Sequence, residues 1–457
     1  MSILKFGVVA MAGLSSLSYL AMGQELADCL GGFQTFYSAP RVNAEAPYLV
    51  DLDGDGLIDM VTLDNTNMIR TYHNTGTSFA APSFVQGPAY SWLEGIADID
   101  NDGKQDIVID TANHNTCGNN SMRIFWNSGD SSQPFTSSLT TEFPIPSYSY
   151  CIHMELIDFD NNGDRDLIVT NMWGPSRTYK NLGQRQFQVQ SDFAWPRDLE
   201  QRATFDFDGD GNNDFLALRK GGWADGKYGT YFYRGNGDGT FQSAVINFAP
   251  QQTQTGFAFR NGSAEIPFSI GLYVGSQASQ TLNIGRWHSD GNFAFTTLTI
   301  PTNLVARQGL DLDSDGKDEL ILTDQSSIGL LAAASLAADG LGIGPVLNLV
   351  TEPEFEFQAF SGVGMLRKVL VSETNDLVRF YAAATNATYL KVFRGGCAYC
   401  VGDVNQSGTV DSNDLATILT VWGTNGGAHP RADIDHDGIV NGPDLGALLG
   451  AWGHCTN

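Results

Sequence analysis

The stretch DLDGDGLID, which begins at Asp51, places four carboxylates within nine residues. Near-copies of this acidic stretch recur along the 457-residue chain, beginning at Asp98, Asp158, Asp206 and Asp311. Carboxylates this close repel one another, so each copy requires either full solvation or a bound cation. The recurrence predicts a fold built from repeated units, each with one acidic loop.

The five copies start 47, 60, 48 and 105 residues apart, and the last interval spans about two units. Strand-like segments that lack the acidic residues, near residues 257 and 359, bring the series to seven units. Each complete unit follows its loop with a short apolar run, a second β-rich run and a glycine-containing turn that leads to Phe. Short strands with a repeat of about 50 residues predict an all-β fold, a seven-bladed β-propeller.

Oxygen ligands at alternating positions, with glycine at position six, favour Ca²⁺ over Mg²⁺, which prefers to keep waters. Side chains at positions 1, 3, 5 and 9 are the expected ligands, together with the carbonyl of position 7. We expect the ion to be structural; the alternative is an acidic turn that is only solvated. The predicted ligands are Asp51, Asp53, Asp55, Asp59, Asp98, Asp100, Asp102, Asp106, Asp158, Asp160, Asn162, Asp166, Asp206, Asp208, Asp210, Asp214, Asp311, Asp313, Asp315 and Glu319.

The spacing changes near the C-terminus, where DVNQSGTVDSND and DIDHDGIVNGPD begin 30 residues apart, at Asp403 and Asp433. Each twelve-residue stretch has glycine at position six and is followed by a helical pattern, which is typical of EF-hand-type calcium loops. Thr409 and Ile439 are expected to supply backbone carbonyls. The side-chain ligands would be Asp403, Asn405, Ser407, Asp411, Asp414, Asp433, Asp435, Asp437, Asn441 and Asp444, which brings the expected total to about seven Ca²⁺ sites.

These patterns resemble two known families. Residues 30–395 resemble FG-GAP, or VCBS-type, repeats, which form calcium-binding propellers. Residues 401–453 resemble a type I dockerin, because position 12 of both loops is Asp and no helix pattern precedes the first loop. The second resemblance implies docking onto a cohesin-like domain of another protein, with specificity set by Ser412, Asn413, Gly442 and Pro443. The alternative is a calcium-folded tail that docks onto nothing.

Composition and the N-terminal segment bear on location and partners. The chain has 25 basic and 51 acidic residues, a net charge of −26, which argues against nucleic acid. The apolar run FGVVAMAGL leads to Ala21-Met22-Gly23, which predicts a cleaved signal peptide, secretion and no transmembrane anchor. The expected domains are a signal peptide (1–23), the propeller (24–396) and a small α-helical dockerin-like module (397–457).

Six cysteines in an exported chain suggest disulfides. The dockerin resemblance implies a Cys400–Cys455 bond, and ring closure of a propeller suggests Cys29–Cys397, which leaves Cys117–Cys151. Six cysteines allow 15 connectivities, and Cys397 and Cys400 could instead form their own small loop.

The sequence favours a non-enzymatic binding or adhesion protein. It contains no GxSxG, HExxH or P-loop motif, and we assign no catalytic residue. Trp173, Trp223 and Tyr228 fall in predicted hairpin turns, where they would either stack on sugar rings or pack at the rim. The expected ligand is an extracellular protein or a glycan. The alternative is an extracellular polysaccharide-degrading enzyme, a glycoside hydrolase or lyase, or a lectin component of a dockerin-assembled complex.

Overall fold

The structure is a computed structural model of the chain. It describes residues 34–40, 47–89, 91–111, 121–144, 152–171, 176–193, 199–219, 229–242, 245–246, 253–260, 268–276, 279–287, 293–301, 303–310, 318–324, 330–334, 346–351, 356–357, 366–371, 377–385, 389–398, 402–404, 409–424, 429, 432–434 and 439–454. Among these residues, no helix is both long enough and apolar enough to cross a membrane.

After the first strand, β1 (Gln34–Pro40), the chain forms consecutive four-stranded antiparallel sheets from strands that are adjacent in sequence. Sheet one contains β2 (Tyr48–Val50), β3 (Asp59–Leu63), β4 (Met68–Tyr72) and β5 (Ser83–Gln86). Sheet two contains β6 (Trp92–Ala97), β7 (Asp106–Asp110), β8 (Ser121–Phe125) and β9 (Thr140–Pro144). Sheet three contains β10 (Ile152–Ile157), β11 (Asp166–Asn171), β12 (Ser176–Asn181) and β13 (Phe187–Phe193).

The same arrangement continues through three further sheets. Sheet four contains β14 (Leu199–Phe205), β15 (Asp214–Arg219), β16 (Gly229–Tyr233) and β17 (Val245–Ile246). Sheet five contains β18 (Thr253–Arg260), β19 (Phe268–Ser276), β20 (Ser279–Trp287) and β21 (Phe293–Thr299). Sheet six contains β22 (Leu304–Leu310), β23 (Glu319–Asp324), β24 (Leu330–Ala334) and β25 (Leu347–Thr351).

The first strand of the chain joins the last large sheet. Sheet seven contains β26 (Glu356–Phe357), β27 (Leu366–Val371), β28 (Leu377–Thr385) and β29 (Tyr389–Ala398). Strand β1 pairs antiparallel with β29, so that Gln34 lies opposite Arg394 and Pro40 opposite Tyr389. The N-terminal strand therefore closes the edge of a sheet made from residues more than 300 positions later.

In sheets one, two and six, the second strand is almost entirely buried. Every residue of β3 and of β7 is buried, as are the first five residues of β23. The apolar runs that follow the acidic loops in the sequence form these strands, and unbroken apolar runs suit a strand that is covered on both faces. The apolar run that marks a unit in the sequence thus forms the interior strand of its sheet.

The hydrophobic core lies between consecutive sheets. Val108 and Ile124 of sheet two, for example, pack in one cluster with Leu167 and Val169 of sheet three. The first strands of neighbouring sheets also contact each other, as β6 does with β10, β14 with β18, and β18 with β22.

The last large sheet packs against the first. Leu390 and Val392 of sheet seven share a buried cluster with Leu49 and Met60 of sheet one. Antiparallel sheets that pack face to face in sequence order, with their first strands side by side, form a β-propeller. The prediction of an all-β propeller fold is therefore confirmed.

Each of the five recognisable acidic loops connects the first and second strands of its sheet. The ninth loop residue begins the second strand and lies opposite the last residue of the first strand. These pairs are Val50 with Asp59, Ala97 with Asp106, Ile157 with Asp166, Phe205 with Asp214, and Leu310 with Glu319. All five loops therefore occupy equivalent places in their sheets.

The C-terminal residues form a duplicated helical unit. It contains β30 (Thr409–Val410), α1 (Ser412–Thr420), α2 (Gly442–Gly450) and β31 (Gly453–His454), and β30 pairs with β31. Its buried cluster includes Val410, Val440, Ile418 and Leu448, which form two pairs separated by 30 residues. The repeat in the sequence is thus also a repeat in the core.

Buried asparagines join successive sheets of the propeller. The Nδ2 group of Asn127, in the turn after β8, donates to Leu52 O at 2.8 Å and to Gln105 O at 3.1 Å. In the next sheet, Asn181 Nδ2 donates to Ile99 O at 2.7 Å and to Arg165 O at 3.1 Å. Each amide therefore binds one carbonyl in its own sheet and one in the acidic loop of the preceding sheet.

We predict that Asn181→Ala lowers the free energy of unfolding by about 1–3 kcal/mol, because the buried carbonyl of Ile99 and the partly buried contact to Arg165 O lose their donor. Denaturant unfolding measures this difference. The matched control is Asn236→Ala, since Asn236 is exposed and its side chain donates to Thr240 Oγ1 within the same turn, and its effect should stay within about 0.5 kcal/mol. Equal losses of unfolding free energy in the two variants would contradict the role of Asn181 in joining sheets two and three.

Candidate metal centres

Four acidic loops are described in full: loop one (51–59), loop two (98–106), loop three (158–166) and loop four (206–214). In each loop, three predicted ligands bring carboxylate oxygens within 4.8 Å of one another. The groups are Asp51, Asp53 and Asp59; Asp98, Asp100 and Asp106; Asp158, Asp160 and Asp166; and Asp206, Asp208 and Asp210. In loop one, Asp53 and Asp55 also form such a group with His73.

An apolar side chain and a glycine shape each loop. The second loop residue is a buried Leu52, Ile99, Phe159 or Phe207, which anchors the loop to the sheet interior. The glycine at position six has a φ between 84° and 91° in all four loops. No atom lies within 4 Å of a Cβ built at Gly103, so the backbone conformation, not space, requires glycine there.

The first aspartate of each loop organises the loop backbone. Asp51 accepts hydrogen bonds from Gly54 N at 2.8 Å and from Gly56 N at 3.0 Å. Asp98 accepts from Asp102 N at 3.1 Å and from Gly103 N at 2.9 Å. Asp158 and Asp206 make the equivalent bonds in loops three and four. The carboxylate thereby fixes the curvature that gathers the other acidic side chains.

The aspartate at loop position nine, called the ninth aspartate below, is buried and accepts hydrogen bonds from two parts of its sheet. Asp106 Oδ2 accepts from Ile99 N at 3.1 Å, and its Oδ1 accepts from Asn127 N at 2.8 Å. Burial, with a smaller contribution from the nearby charges of Asp100 and Asp102, raises the pKa of Asp106 to about 7, although these two hydrogen bonds lower it. Burial likewise raises the pKa of Asp59, Asp166 and Asp214 to about 7.

The aspartate at loop position three, called the third aspartate below, faces a basic side chain in each of the four loops. Asp53 Oδ2 lies 3.3 Å from His73 Nδ1, Asp160 pairs with Lys180, and Asp208 pairs with Arg234. Asp100 instead pairs with Arg185, at 2.8 Å. The Oδ1 atoms of Asp100 and Asp160 are buried, and no hydrogen-bond donor of the described residues reaches them.

These donors fit a hard divalent cation. The orphaned Oδ1 atoms of Asp100 and Asp160 lie in clusters of carboxylate oxygens, and Ca²⁺ takes six to eight oxygen ligands. A carboxylate oxygen has two lone pairs, so one that accepts a backbone N–H can still bind an ion. The raised pKa values of the ninth aspartates also fit a cation site, because burial disfavours a negative charge that no positive charge compensates.

Several predicted ligands are outside the described residues. In the acidic loop of sheet six (loop six, 311–319), Glu319 is the one predicted ligand that is described, and it is buried at the start of β23. The residues outside the described part are Asp311, Asp313, Asp315, Asn405, Ser407, Asp435 and Asp437, with the predicted surface residues Trp173, Trp223 and Tyr228. The same holds for Cys29, Cys117, Cys151, Cys400 and Cys455 and for the side chain of Cys397, so the disulfide pairings stay predictions.

The two C-terminal loops place equivalent residues in equivalent surroundings. Asp414 and Asp444, at position 12, are completely buried, and each accepts a hydrogen bond from the N-cap residue of its helix, Asp411 N at 2.9 Å and Asn441 N at 2.7 Å. Asp403 and Asp433, at position 1, are also buried. The predicted contact residues Ser412, Asn413, Gly442 and Pro443 lie exposed at the helix N-termini.

Sequence reasoning missed two groups that complete the propeller loops. The first comprises Asn74, Asn127 and Asn181, whose backbone N–H groups cap the ninth aspartates. The second comprises the basic partners of the third aspartates. Both have a sequence signal. His73, Lys180 and Arg234 each stand immediately before a residue whose N–H caps a ninth aspartate, and these capping residues are Asn74, Asn181 and Gly235. Aligning the turn after the third strand of each unit reveals it.

Comparison with known proteins agrees with this architecture. The FG-GAP-like repeat family matches residues 51–109, 98–169 and 158–217. These three matches begin at loops one, two and three, and each ends in the second strand of the following sheet. No curated protein matches the chain. Residues 51–217 therefore match FG-GAP-like repeats, and these residues lie within the β-propeller.

Solved structures are similar to this chain at low sequence identity. The crystal structure of BBS1N in complex with ARL6DN, soaked with mercury, has a TM-score of 0.50 and 12% identity, over 79% of this chain and 96% of that one. The exotype rhamnogalacturonan lyase YesX has a TM-score of 0.44 and 12% identity, over 80% and 76% of the two chains. The Dos1 propeller has a TM-score of 0.43 and 7% identity, over 74% and 76%.

We predict that the stability of the metal-free protein falls as the pH rises from about 4 to about 7. The pKa of Asp106 is about 7 in the folded chain and about 3.9 when unfolded, so over this window the folded state holds a proton that the unfolded state has lost. Urea unfolding in chelator at several pH values measures the effect. The contribution of Asp106 is fully present below about pH 4 and is lost as the pH passes about 7.

The variant Asp106→Asn isolates this contribution from other titrating groups. Because asparagine does not ionise, the wild-type protein should lose stability relative to Asp106→Asn between about pH 4 and 7. A stability difference that stays constant over this window would contradict a raised pKa of Asp106.

Proposed function

We propose that this protein is a secreted, calcium-binding, non-enzymatic binding or adhesion protein. Its propeller would present a surface to an extracellular protein or glycan, and its C-terminal module would attach it to a partner. The observation that carries the calcium assignment is the set of four equivalent loops, each with three carboxylates within 4.8 Å. Orphaned buried oxygens in loops two and three support it.

The residues that would hold Ca²⁺ in the propeller are the aspartates at positions 1, 3, 5 and 9, with Asn162 at position 5 of loop three. When bound, the ion neutralises carboxylates that otherwise repel one another. The chain itself shapes the site: the first aspartate curves the loop, the ninth joins the loop to the next hairpin, and the glycine permits the turn. Loop six would bind through Asp311, Asp313, Asp315 and Glu319.

We infer that the seven large sheets are the blades of one closed propeller within residues 24–396. The pairing of β1 with β29 and the shared core of sheets one and seven support closure. A closed ring has a fixed face, on which the acidic loops of neighbouring blades lie side by side. Asn101 of loop two, which donates to Asp164 of loop three, supports this adjacency. The ions would thus stiffen the scaffold that displays the ligand surface.

The module of residues 397–457 is proposed to be a dockerin-type unit that binds a cohesin-like domain. Exposed apolar side chains support a docking role, since Leu419 and Trp422 recur 30 residues later as Leu449 and Trp452, and all four are exposed. These residues extend the predicted surface beyond Ser412, Asn413, Gly442 and Pro443. Two equivalent loops with buried first and last aspartates support calcium binding in this module as well.

Calcium titration by calorimetry on the mature chain tests the scaffold. We expect about seven bound ions and a large fall in melting temperature in chelator, because each site at a free concentration of about 100 Kd adds about 2.7 kcal/mol of stability. Asp98→Asn should remove one ion, whereas Asp130→Asn, at an exposed aspartate outside the loops, should remove none. A melting temperature that ignores the chelator would contradict the calcium scaffold.

Binding of a cohesin panel tests the C-terminal module. The full chain should retain a cohesin in calcium and release it in chelator, and the double variant Leu419→Asp with Leu449→Asp should abolish retention. Leu182→Asp, at an exposed leucine of the propeller, is the matched control and should bind normally. Failure of every cohesin to bind would contradict the docking role and leave the calcium titration unaffected.

Glycan and extracellular-protein arrays test the ligand surface of the propeller. We expect retention that depends on calcium and leaves the ligand intact. Shortening of a polysaccharide during the incubation would contradict a non-enzymatic role.

A further inference from the structure

The basic residue that faces the third aspartate of loop two, Asp100, comes from a neighbouring sheet. In the other three fully described loops, the equivalent basic residue comes from the sheet that carries the loop. His73, Lys180 and Arg234 each belong to the sheet that carries their own loop, and each precedes the capping residue of that sheet. The corresponding residue of sheet two is Trp126, which carries no charge. The cation at Asp100 is instead Arg185, from the turn between β12 and β13 of sheet three.

The contacts of Arg185 define its position closely. Its Nε and Nη2 atoms both lie 2.8 Å from Asp100 Oδ2, and its guanidinium lies 4.7 Å from the centre of the Trp126 ring. Trp126 is itself fixed, because it is buried and its Nε1 donates to Thr141 Oγ1 at 2.9 Å. Arg185 thus combines an ion pair with a cation–π contact across the boundary between two sheets.

The backbone of Arg185 shows that this side chain is held at a conformational cost. Gly183, Gln184 and Arg185 have φ values of 72°, 51° and 62°, three left-handed residues in succession. At the position of sheet four that corresponds to Arg185 stands Gly239, with a φ of 83°. Left-handed backbone favours glycine, and strained residues persist where the surrounding structure holds them. An arginine at this place is therefore explained by its side chain and not by its turn.

We propose that Arg185 is the built-in counter-cation of Asp100 in loop two, where Lys104 pairs separately with Asp102. It holds Asp100 and joins sheets two and three when no divalent ion is bound, and it weakens ion binding at loop two because it places a positive charge against one of the ligands. This inference rests on the proposed calcium binding and concerns how the affinity of one site is set. The pair leaves Asp100 Oδ1 without a donor, so that oxygen is available to the ion while Oδ2 is shared with Arg185.

The test compares Arg185→Met, which removes the charge and keeps the length, with Arg185→Lys, which keeps the charge. Calcium titration of the full chain should show at least a tenfold increase in the affinity of one site in Arg185→Met and a smaller change in Arg185→Lys. The increase should disappear in an Asp98→Asn background, which assigns it to loop two. Arg123→Met is the matched control, because Arg123 lies in sheet two, which carries loop two, and pairs with the exposed Glu142 outside that loop.

Melting in chelator provides a second readout. Arg185→Met should melt at a lower temperature than the wild-type protein in chelator, and the gap should narrow in saturating calcium. Arg185→Gly, which relieves the left-handed backbone, should still melt lower in chelator; a higher melting temperature would overturn the role of the side chain.

The possible failures can be told apart. If the wild-type protein binds calcium but Arg185→Met has unchanged or lower affinity, this inference is wrong and the proposed function stands. If the wild-type protein binds no calcium, both are wrong.

Discussion

The hydrogen bonds of the buried ninth aspartate support the rest of the propeller. One carboxylate oxygen of Asp166 accepts from Phe159 N in its loop and the other accepts from Asn181 N in the next turn. The Asn181 amide then reaches the acidic loop of the preceding sheet. A single buried carboxylate therefore links its loop, its sheet and, through asparagine, the neighbouring sheet. Burial disfavours the charged form of this carboxylate, and this explains its raised pKa.

Basic side chains and a divalent ion would share the stabilisation of the acidic loops. Lysine, arginine or histidine side chains face the third aspartates in all four fully described loops. A divalent ion would meet the remaining oxygens, including the orphaned Oδ1 atoms of Asp100 and Asp160. Fixed side chains give partial neutralisation that persists without metal, whereas the ion would complete it. The loops would thus respond to calcium without depending on it for every contact between sheets.

The C-terminal module follows a different principle. Its two halves pack their equivalent apolar residues into one core, with Val410 and Val440 and with Ile418 and Leu448. Outside that core, the equivalent tryptophans Trp422 and Trp452 are both exposed, so the duplication extends from the core to the surface.

The sequence by itself determined the repeats and the loop chemistry, because both follow from local patterns. Apolar runs after each acidic stretch became buried second strands, and the glycines at position six adopted the left-handed backbone that the turn requires. Only the tertiary structure decided which groups meet across sheets. The pairing of β1 with β29 and the reach of Arg185 to Asp100 join residues that are distant in sequence. Sequence spacing alone does not set such contacts, since they depend on how twisted sheets pack against one another.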